Sequence, residues 1–464
     1  MAYKGELSEQ NKPKRQRATA ARLAALKVVR QVRERDAYAQ DLIAKTIDDS
    51  DMDSSDRAFA TRLVLGVVSC QGTLDEVIDR ALRSPDDVQA DVRDALRIST
   101  YEIVFLRKSP HAAVDQGVEL ARSVTPKAAG LANATLRKVV ELSRAFPFGD
   151  PTRDVEALAR LHAFPLWLAK RLIAELGVQD AVAFMQASNE PAPLFVAVNA
   201  CKSADEPVEH VFARAQEELQ PSGSGGIEVP GCYHVPDSLS LLVPEVKQLI
   251  ARGRLLVSDA SSQLVAASVL PNKRVGSLLE VGAGRATKTI LLQSHATRRY
   301  GEQIGAYETL DTHAFKTKLL RERTKTYGVH VQEALTGDAR RLDEVIGARR
   351  FDLVFIDAPC SGLGTLRRHP EIRWRLEERS IAVFARDQLA MLQSAAGHVS
   401  SGGTLAYATC TVTHEENSEV VKSFLASPEG ADFKLVPIAG RSCVATRLSP
   451  DSPDAHFAVR FARK

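Results

Sequence analysis

The hydrophobic pattern changes its period along the chain. From Leu23, apolar residues recur at three-residue steps (Leu23, Leu26, Val29, Val32), and Phe59, Leu63 and Val67 share one helical face behind the start signal Asp53-Ser-Ser-Asp56. Further helical stretches cover about residues 74–82, 88–106, 111–123 and 130–143. Helices with short connections predict an all-α domain over residues 23–143. Pro147 and Gly149 break the pattern, and two more apolar-periodic segments make a helical linker of residues 144–188. Strand-like runs at Leu194–Val198 and Ile227–Val229, with Pro221–Gly226 as a flexible turn, predict a small α+β module over 189–245.

From about residue 246, strands and helices alternate, as in a doubly wound α/β domain. Leu278-Leu-Glu280-Val-Gly282-Ala-Gly284 reads as strand, tight turn and helix start, where glycines let a ligand approach the backbone closely. A Gly-x-Gly turn alone is shared with nicotinamide dehydrogenases. Glu280 suits a cationic ligand group, Glu308 is expected to end the next strand facing a ribose diol, and Asp338 follows a third strand near an adenine position. Leu353–Ile356, bounded by Asp352 and Asp357, has the apolar run of a strand buried on both faces. Asp357 then lies at the carboxyl end, where open α/β sheets bind ligands. Pro359, Gly362 and Gly364 force a loop that projects Cys360 into the crevice, and Gly403–Thr409 makes a second strand ending in Cys410.

Composition narrows the class without deciding it. The 464 residues are 44% hydrophobic and 26% charged, as in ordinary globular proteins, and the net charge of +3 is too small to argue for nucleic acid. Its distribution says more. Residues 1–22 hold six Lys/Arg against two Glu and read as a disordered basic tail. Arg367, Arg368, His369, Arg373 and Trp374 form a basic loop with one aromatic, suited to phosphate contacts and stacking of an unpaired base, or else simply a solvated charge run. The apolar runs are too short for a transmembrane helix and the first residues lack an apolar signal region, so a cytoplasmic protein is expected. The six cysteines show no Cys-x-x-Cys pair, so reduced thiols and no metal site are expected. A monomer is expected.

Asp357-Ala-Pro-Cys360-Ser-Gly, the following Arg367-Arg-His-Pro-Glu-Ile-Arg-Trp374, and Thr409-Cys410 with Glu415-Glu-Asn417 resemble the RsmB/Sun (Fmu) family. The resemblance implies an RNA 5-methylcytosine methyltransferase that uses S-adenosyl-L-methionine. Arg57-Ala-Phe59 with Gly66, Leu96–Glu102, Pro110–Asp115 and Gly130–Arg137 resemble a NusB-like domain. The implied architecture is a NusB-like helical RNA-binding domain, a small α+β RNA-binding module, and a Rossmann-like class I methyltransferase domain over 246–464. By the same resemblance Cys410 is the nucleophile, Cys360 assists release, and Asp357 stabilises the base adduct. Cofactor contacts would come from Glu280, Gly282, Gly284, Lys288, Glu308, Asp338 and Asp357, and small-subunit ribosomal RNA would be the substrate. The family's usual Asp-x-Cys-Ala-Ala-Pro-Gly-Gly-Lys-Thr loop has Arg285 for proline and Ala286-Thr287 for two glycines here. That departure motivates an alternative: a non-catalytic RNA-binding or ribosome-assembly factor carrying a degenerate methyltransferase domain.

Overall fold

The computed structural model describes residues 17–202 and 206–464. The chain forms two compact units, one ending at Ala169 and one running from Lys170 to Lys464.

The first unit is helical: α1 (Ala20–Arg35), α2 (Ala39–Ile43), α3 (Ser54–Ala81), α4 (Ala90–Val104), α5 (Pro110–Val124), α6 (Ala128–Leu142) and α7 (Val155–His162). Asp53 caps α3 by accepting from the Asp56 amide at 2.8 Å. Residues 59–67 and 74–82, expected as separate stretches, join in this one helix because no Pro or cap residue interrupts it. Val28, Leu63, Leu74, Ile98, Leu120 and Leu136 meet in one core. Helix α1 starts three residues earlier than the periodicity suggests. Arg22, expected in the tail, instead donates two hydrogen bonds to the buried Glu102 at 2.8 and 2.6 Å. The rest of that expected tail, residues 1–16, lies outside the described residues. Tyr101 stacks on Phe105 within the core, whereas Asn133 is exposed and accepts from Arg137.

Helices α8 (Leu166–Leu176) and α9 (Val178–Ala187) lead into a four-stranded antiparallel sheet of order β2-β3-β1-β4. Its strands are β1 (Phe195–Val198), β2 (Gln220–Ser224), β3 (Ile227–His234) and β4 (Leu255–Val257). Two expectations change here. Pro221–Ser224 is strand, and only Gly225 and Gly226, at φ +59° and +76°, make the hairpin turn. Strand β4, expected to open the α/β domain, pairs with β1 instead, so the small sheet extends to Val257.

The larger sheet follows with β5 (Ser277–Val281), β6 (Ala306–Asp311), β7 (Glu333–Thr336), β8 (Phe351–Asp357), β9 (Val399–Thr409), β10 (Phe433–Val436), β11 (Val444–Ala445) and β12 (Phe457–Arg463). The order along it is β10-β12-β9-β8-β5-β6-β7, with β11 added on β12. Strands β5 to β9 run parallel, and β12 enters antiparallel beside β9. The order reverses between β5 and β8, and that switch point opens a crevice at their carboxyl ends.

Candidate active site

The crevice is built from the ends of four strands. After β5 the backbone turns at Gly282, φ +81°, where its amide donates to the Leu310 carbonyl at 2.8 Å. A Cβ on Gly282 would stand 2.2 Å from the Asp357 carbonyl oxygen, so only glycine lets β5 and β8 finish side by side. The turn ends on Ala286, which holds φ +66° at the start of the helix Thr287–Tyr300. A residue with a Cβ thus takes the left-handed conformation that the family's glycine would take freely, and the loop keeps its path.

Lys288, on the first turn of that helix, donates to Asp357 Oδ2 at 2.8 Å. Burial works against its charge, but the attraction and hydrogen bond of Asp357, with Cys410 and Glu280 nearby, hold its pKa above the ordinary lysine value. The crevice therefore keeps a fixed positive charge beside the thiols.

Cys360 Sγ and Cys410 Sγ lie 3.4 Å apart, and the Cys410 amide also points at Cys360 Sγ at 3.4 Å. The two thiols are pushed in opposite directions. The Cys410 thiol is lowered by the hydrogen bond from Cys360 and, against the cost of burial, by the Lys288 charge. Cys360, donating to its neighbour and buried, is pushed well up. Of the two thiols, Cys410 is therefore the one that ionises more readily, with Cys360 holding its proton.

Beneath the thiols sits Glu416, fully buried, a residue the sequence reading left without a role. It accepts from the Ser361 amide at 2.8 Å, the Ser361 hydroxyl at 2.5 Å, Thr413 Oγ1 at 2.9 Å and Gln388 Nε2 at 3.2 Å. Asn417 accepts from Thr409 Oγ1 at 2.6 Å and donates to the Thr411 carbonyl at 3.1 Å. These bonds clamp the two cysteine loops together. The signal was present as Glu415-Glu-Asn417 behind Thr-Cys, but only contacts distinguish Glu416 and Asn417 from a solvated acidic turn.

Gly364 completes the stitching: its amide donates to the Cys410 carbonyl at 2.9 Å, and its carbonyl accepts from the Ala455 amide at 3.0 Å. A Cβ there would come within 1.9 Å of the Ala455 carbonyl oxygen.

The cofactor side differs from expectation at one strand. Glu308 does not end β6; it lies mid-strand, buried, and is ion-paired with Arg349 at 2.7 Å. Asp311 holds the terminal position and accepts from the Gly284 amide at 3.1 Å and the His313 amide at 3.0 Å. The sequence missed it because strand ends depend on pairing, which only the β6–β7 register reveals. Asp338 follows β7 but is engaged by Arg340, at 2.8 Å, and caps a short turn. Glu280 is fully buried. One carboxylate oxygen accepts from Thr289 at 2.6 Å and Tyr307 at 2.9 Å, while Oε1 has no partner. Burial pushes its pKa up to about 7. An orphaned acidic oxygen, a glycine cradle and Asp311 at the next strand end fit a cofactor with a cationic amino-acid tail and a ribose.

The basic loop does not form an exposed phosphate-binding surface. Arg367 donates to the Ser452 carbonyl at 2.5 Å, and Arg368 binds Asp454 at 2.7 Å and Asp259 at 3.0 Å. Arg373, fully buried, donates to Asn189 at 2.8 Å and the Ser188 carbonyl at 3.1 Å. His369 and Trp374 are partly buried. Among the described residues no group of acidic, histidine or cysteine side chains is arranged to hold a metal, and no helix is long and apolar enough to cross a membrane.

A sequence model described as "16S rRNA methyltransferase RsmB/F" matches residues 268–455, and one of the NusB family matches residues 19–141. The chain is 32% identical to the ribosomal RNA small subunit methyltransferase B of Thermus thermophilus, over 91% of each chain. It belongs to the RsmB/F methyltransferase family. The probable ribosomal RNA small subunit methyltransferase B of Bacillus subtilis is 29% identical over 90% of each chain. The crystal structure of PH0851 shares the fold, with TM-score 0.77 over 97% of this chain and all of the other, at 22% identity. The RsmB/F match spans the glycine turn, both cysteine loops and Glu416, so the crevice lies within the region that defines the family.

Proposed function

We propose that this RsmB/F chain transfers a methyl group from S-adenosyl-L-methionine to C5 of a cytosine in RNA, with small-subunit ribosomal RNA as the substrate. The observation that carries the reading is the pair of cysteines 3.4 Å apart, one with a lowered thiol pKa, beside the Lys288–Asp357 pair. The substrate class is supported by the names of the relatives, which act on small-subunit ribosomal RNA.

Cytosine C5 is a weak nucleophile, so the ring must first be activated. The Cys410 thiolate adds to C6, and the displaced electron pair turns C5 into an enamine-like carbon. Asp357, held by Lys288, hydrogen-bonds the N3 side of the ring in this reading and stabilises that adduct. Glu280, Gly282, Gly284 and Asp311 would hold the cofactor, which when bound supplies an electrophilic methyl group. After C5 has gained its methyl, a base takes the C5 proton, the C5–C6 double bond re-forms and the sulfur of Cys410 leaves. Cys360, whose raised pKa favours the protonated thiol, hands a proton to the departing sulfur and aids release in this reading; its 3.4 Å distance from Cys410 Sγ supports it.

The test is transfer of labelled methyl groups to unmodified 16S ribosomal RNA by wild type, Cys410→Ala and Cys360→Ala. Expected is incorporation by wild type, its loss in Cys410→Ala, and a denaturant-stable RNA adduct in Cys360→Ala. Tight RNA binding with no cofactor binding and no incorporation would overturn the reading in favour of an assembly factor.

A further inference from the structure

The mechanism above leaves unused a cleft of about 430 Å³ beside the thiols. Helices α8 and α9 form one wall, with Leu176, Ala183 and Phe184; Val412 and Leu448 form another. The cleft adjoins the Cys410 loop, since Thr411 and Val412, which follow Cys410, line it.

His456 lines the same cleft and is 6% exposed. Phe457 pairs with Thr409 across β12 and β9, so the adjoining residues His456 and Cys410 leave the sheet at the same end of neighbouring strands. The His456 backbone is tied to Thr446, donating at 2.7 Å and accepting at 2.9 Å; the ring also interacts with the Asp454 backbone, and Nδ1 is buried without a well-aligned hydrogen-bond partner. Burial, aided by the Lys288 charge, pushes the imidazole pKa down to about 4, so the ring is neutral and both donates and accepts. A buried polar group left unpaired costs stability, and proteins keep one where a ligand can satisfy it.

We propose that this cleft is a subsite for one unstacked nucleobase of the substrate RNA, adjacent to the target cytosine, with His456 contacting the edge of that base. The inference rests on RNA being the substrate. It selects a base rather than a phosphate or an acidic peptide because the one fixed cation of the cleft, Arg447, is already paired and the carboxylates Glu175 and Asp180 also line it. Arg447 is paired with Asp180 at 2.6 Å, and His414 with Glu175 at 2.5 Å. What remains is apolar wall and a neutral imidazole, which suits a flat uncharged ring with a hydrogen-bonding edge. Extruding the target cytosine also unstacks its neighbour, and a cleft that receives the neighbour offsets that loss.

Two variants test this without touching the thiols. Ala183→Trp fills the cleft from α9, and His456→Phe keeps a buried ring while removing both nitrogens. Each is compared with wild type for filter binding of an unmodified 16S ribosomal RNA transcript, for KM and kcat with that transcript, for S-adenosylmethionine affinity, and for iodoacetamide alkylation of Cys410. Both variants are expected to weaken transcript binding and raise KM about tenfold, the worth of roughly one lost stacking contact. Cofactor affinity and Cys410 alkylation should stay unchanged. Transcript binding and KM equal to wild type in Ala183→Trp would overturn the subsite, as would a loss of cofactor affinity in place of RNA affinity. Failure of wild type to methylate any RNA would instead count against the proposed function, and filter binding would still decide the cleft's role.

Discussion

Cys360 Sγ stands 3.4 Å from Cys410 Sγ, and the surroundings push the two thiols in opposite directions. With Cys360 keeping its proton and donating, the Cys410 pKa falls below the ordinary thiol value, with help from Lys288. Removing the donor in Cys360→Ala is expected to raise the pKa read from the pH dependence of Cys410 alkylation, and Lys288→Met to raise it too. An alkylation profile identical to wild type in both variants would show that neither neighbour stabilises the thiolate.

Glu416 is expected to act through the cysteine loops rather than on substrate. Glu416→Gln keeps the shape but replaces one acceptor oxygen with an amide donor, leaving buried donors of Ser361, Thr413 or Gln388 unpaired. The cost is about 2–4 kcal/mol of stability, read by denaturant unfolding. Removing the Glu416 charge by itself lowers the Cys410 alkylation pKa, because that charge opposes the thiolate, whereas loosening the clamp that holds Cys360 against Cys410 raises it; a rise in Glu416→Gln would therefore report the clamp and a fall the charge alone.

Gly364→Ala should be damaging for a steric reason. Its Cβ would lie 1.9 Å from the Ala455 carbonyl oxygen and 2.9 Å from the Cys410 carbonyl oxygen, both backbone atoms that cannot swing aside. Expected is a loss of about 1–3 kcal/mol, with methyl transfer reduced far more than helical content. Wild-type activity would mean that the Cys410 and Ala455 segments move apart without consequence.

Glu280 makes stability depend on pH. Its folded pKa of about 7 lies above the ordinary carboxylate value of about 4.5, so its contribution is fully present below about pH 4.5 and is lost as pH rises through about 7. Wild type should therefore lose stability relative to Glu280→Gln over that range, by up to ~3 kcal/mol. If the free Oε1 receives the cofactor's ammonium group, cofactor binding near pH 7 releases a proton. Calorimetry in buffers of different ionisation enthalpy reads that proton, and its absence would remove Glu280 from the cofactor contacts.

Arg373 separates a structural from an RNA-binding role for the basic loop. It is fully buried on Asn189 and the Ser188 carbonyl, so Arg373→Ala should cost stability, on the order of 2–4 kcal/mol. The salt dependence of RNA binding should be unchanged, because no phosphate contact is lost. A shallower salt slope in the variant would return Arg373 to the RNA interface.

The sequence by itself determined the element types and the strand ends that carry the candidate site. Apolar period separated the helical unit from the α/β unit, and the Asp357, Cys360 and Cys410 motifs marked two strand ends. Both are local properties, since periodicity and turn residues act over a few positions. The tertiary structure decided what depends on pairing and packing between distant segments. Register made Asp311, not Glu308, the last residue of β6 and joined β4 to the small sheet. Packing turned Arg367 and Arg373 inward to carbonyl and amide partners that no charge count could have assigned. The same is true of Glu416, whose four donors come from three separate segments, and of His456, which only the β9–β12 pairing brings to the end of the strand that carries Cys410.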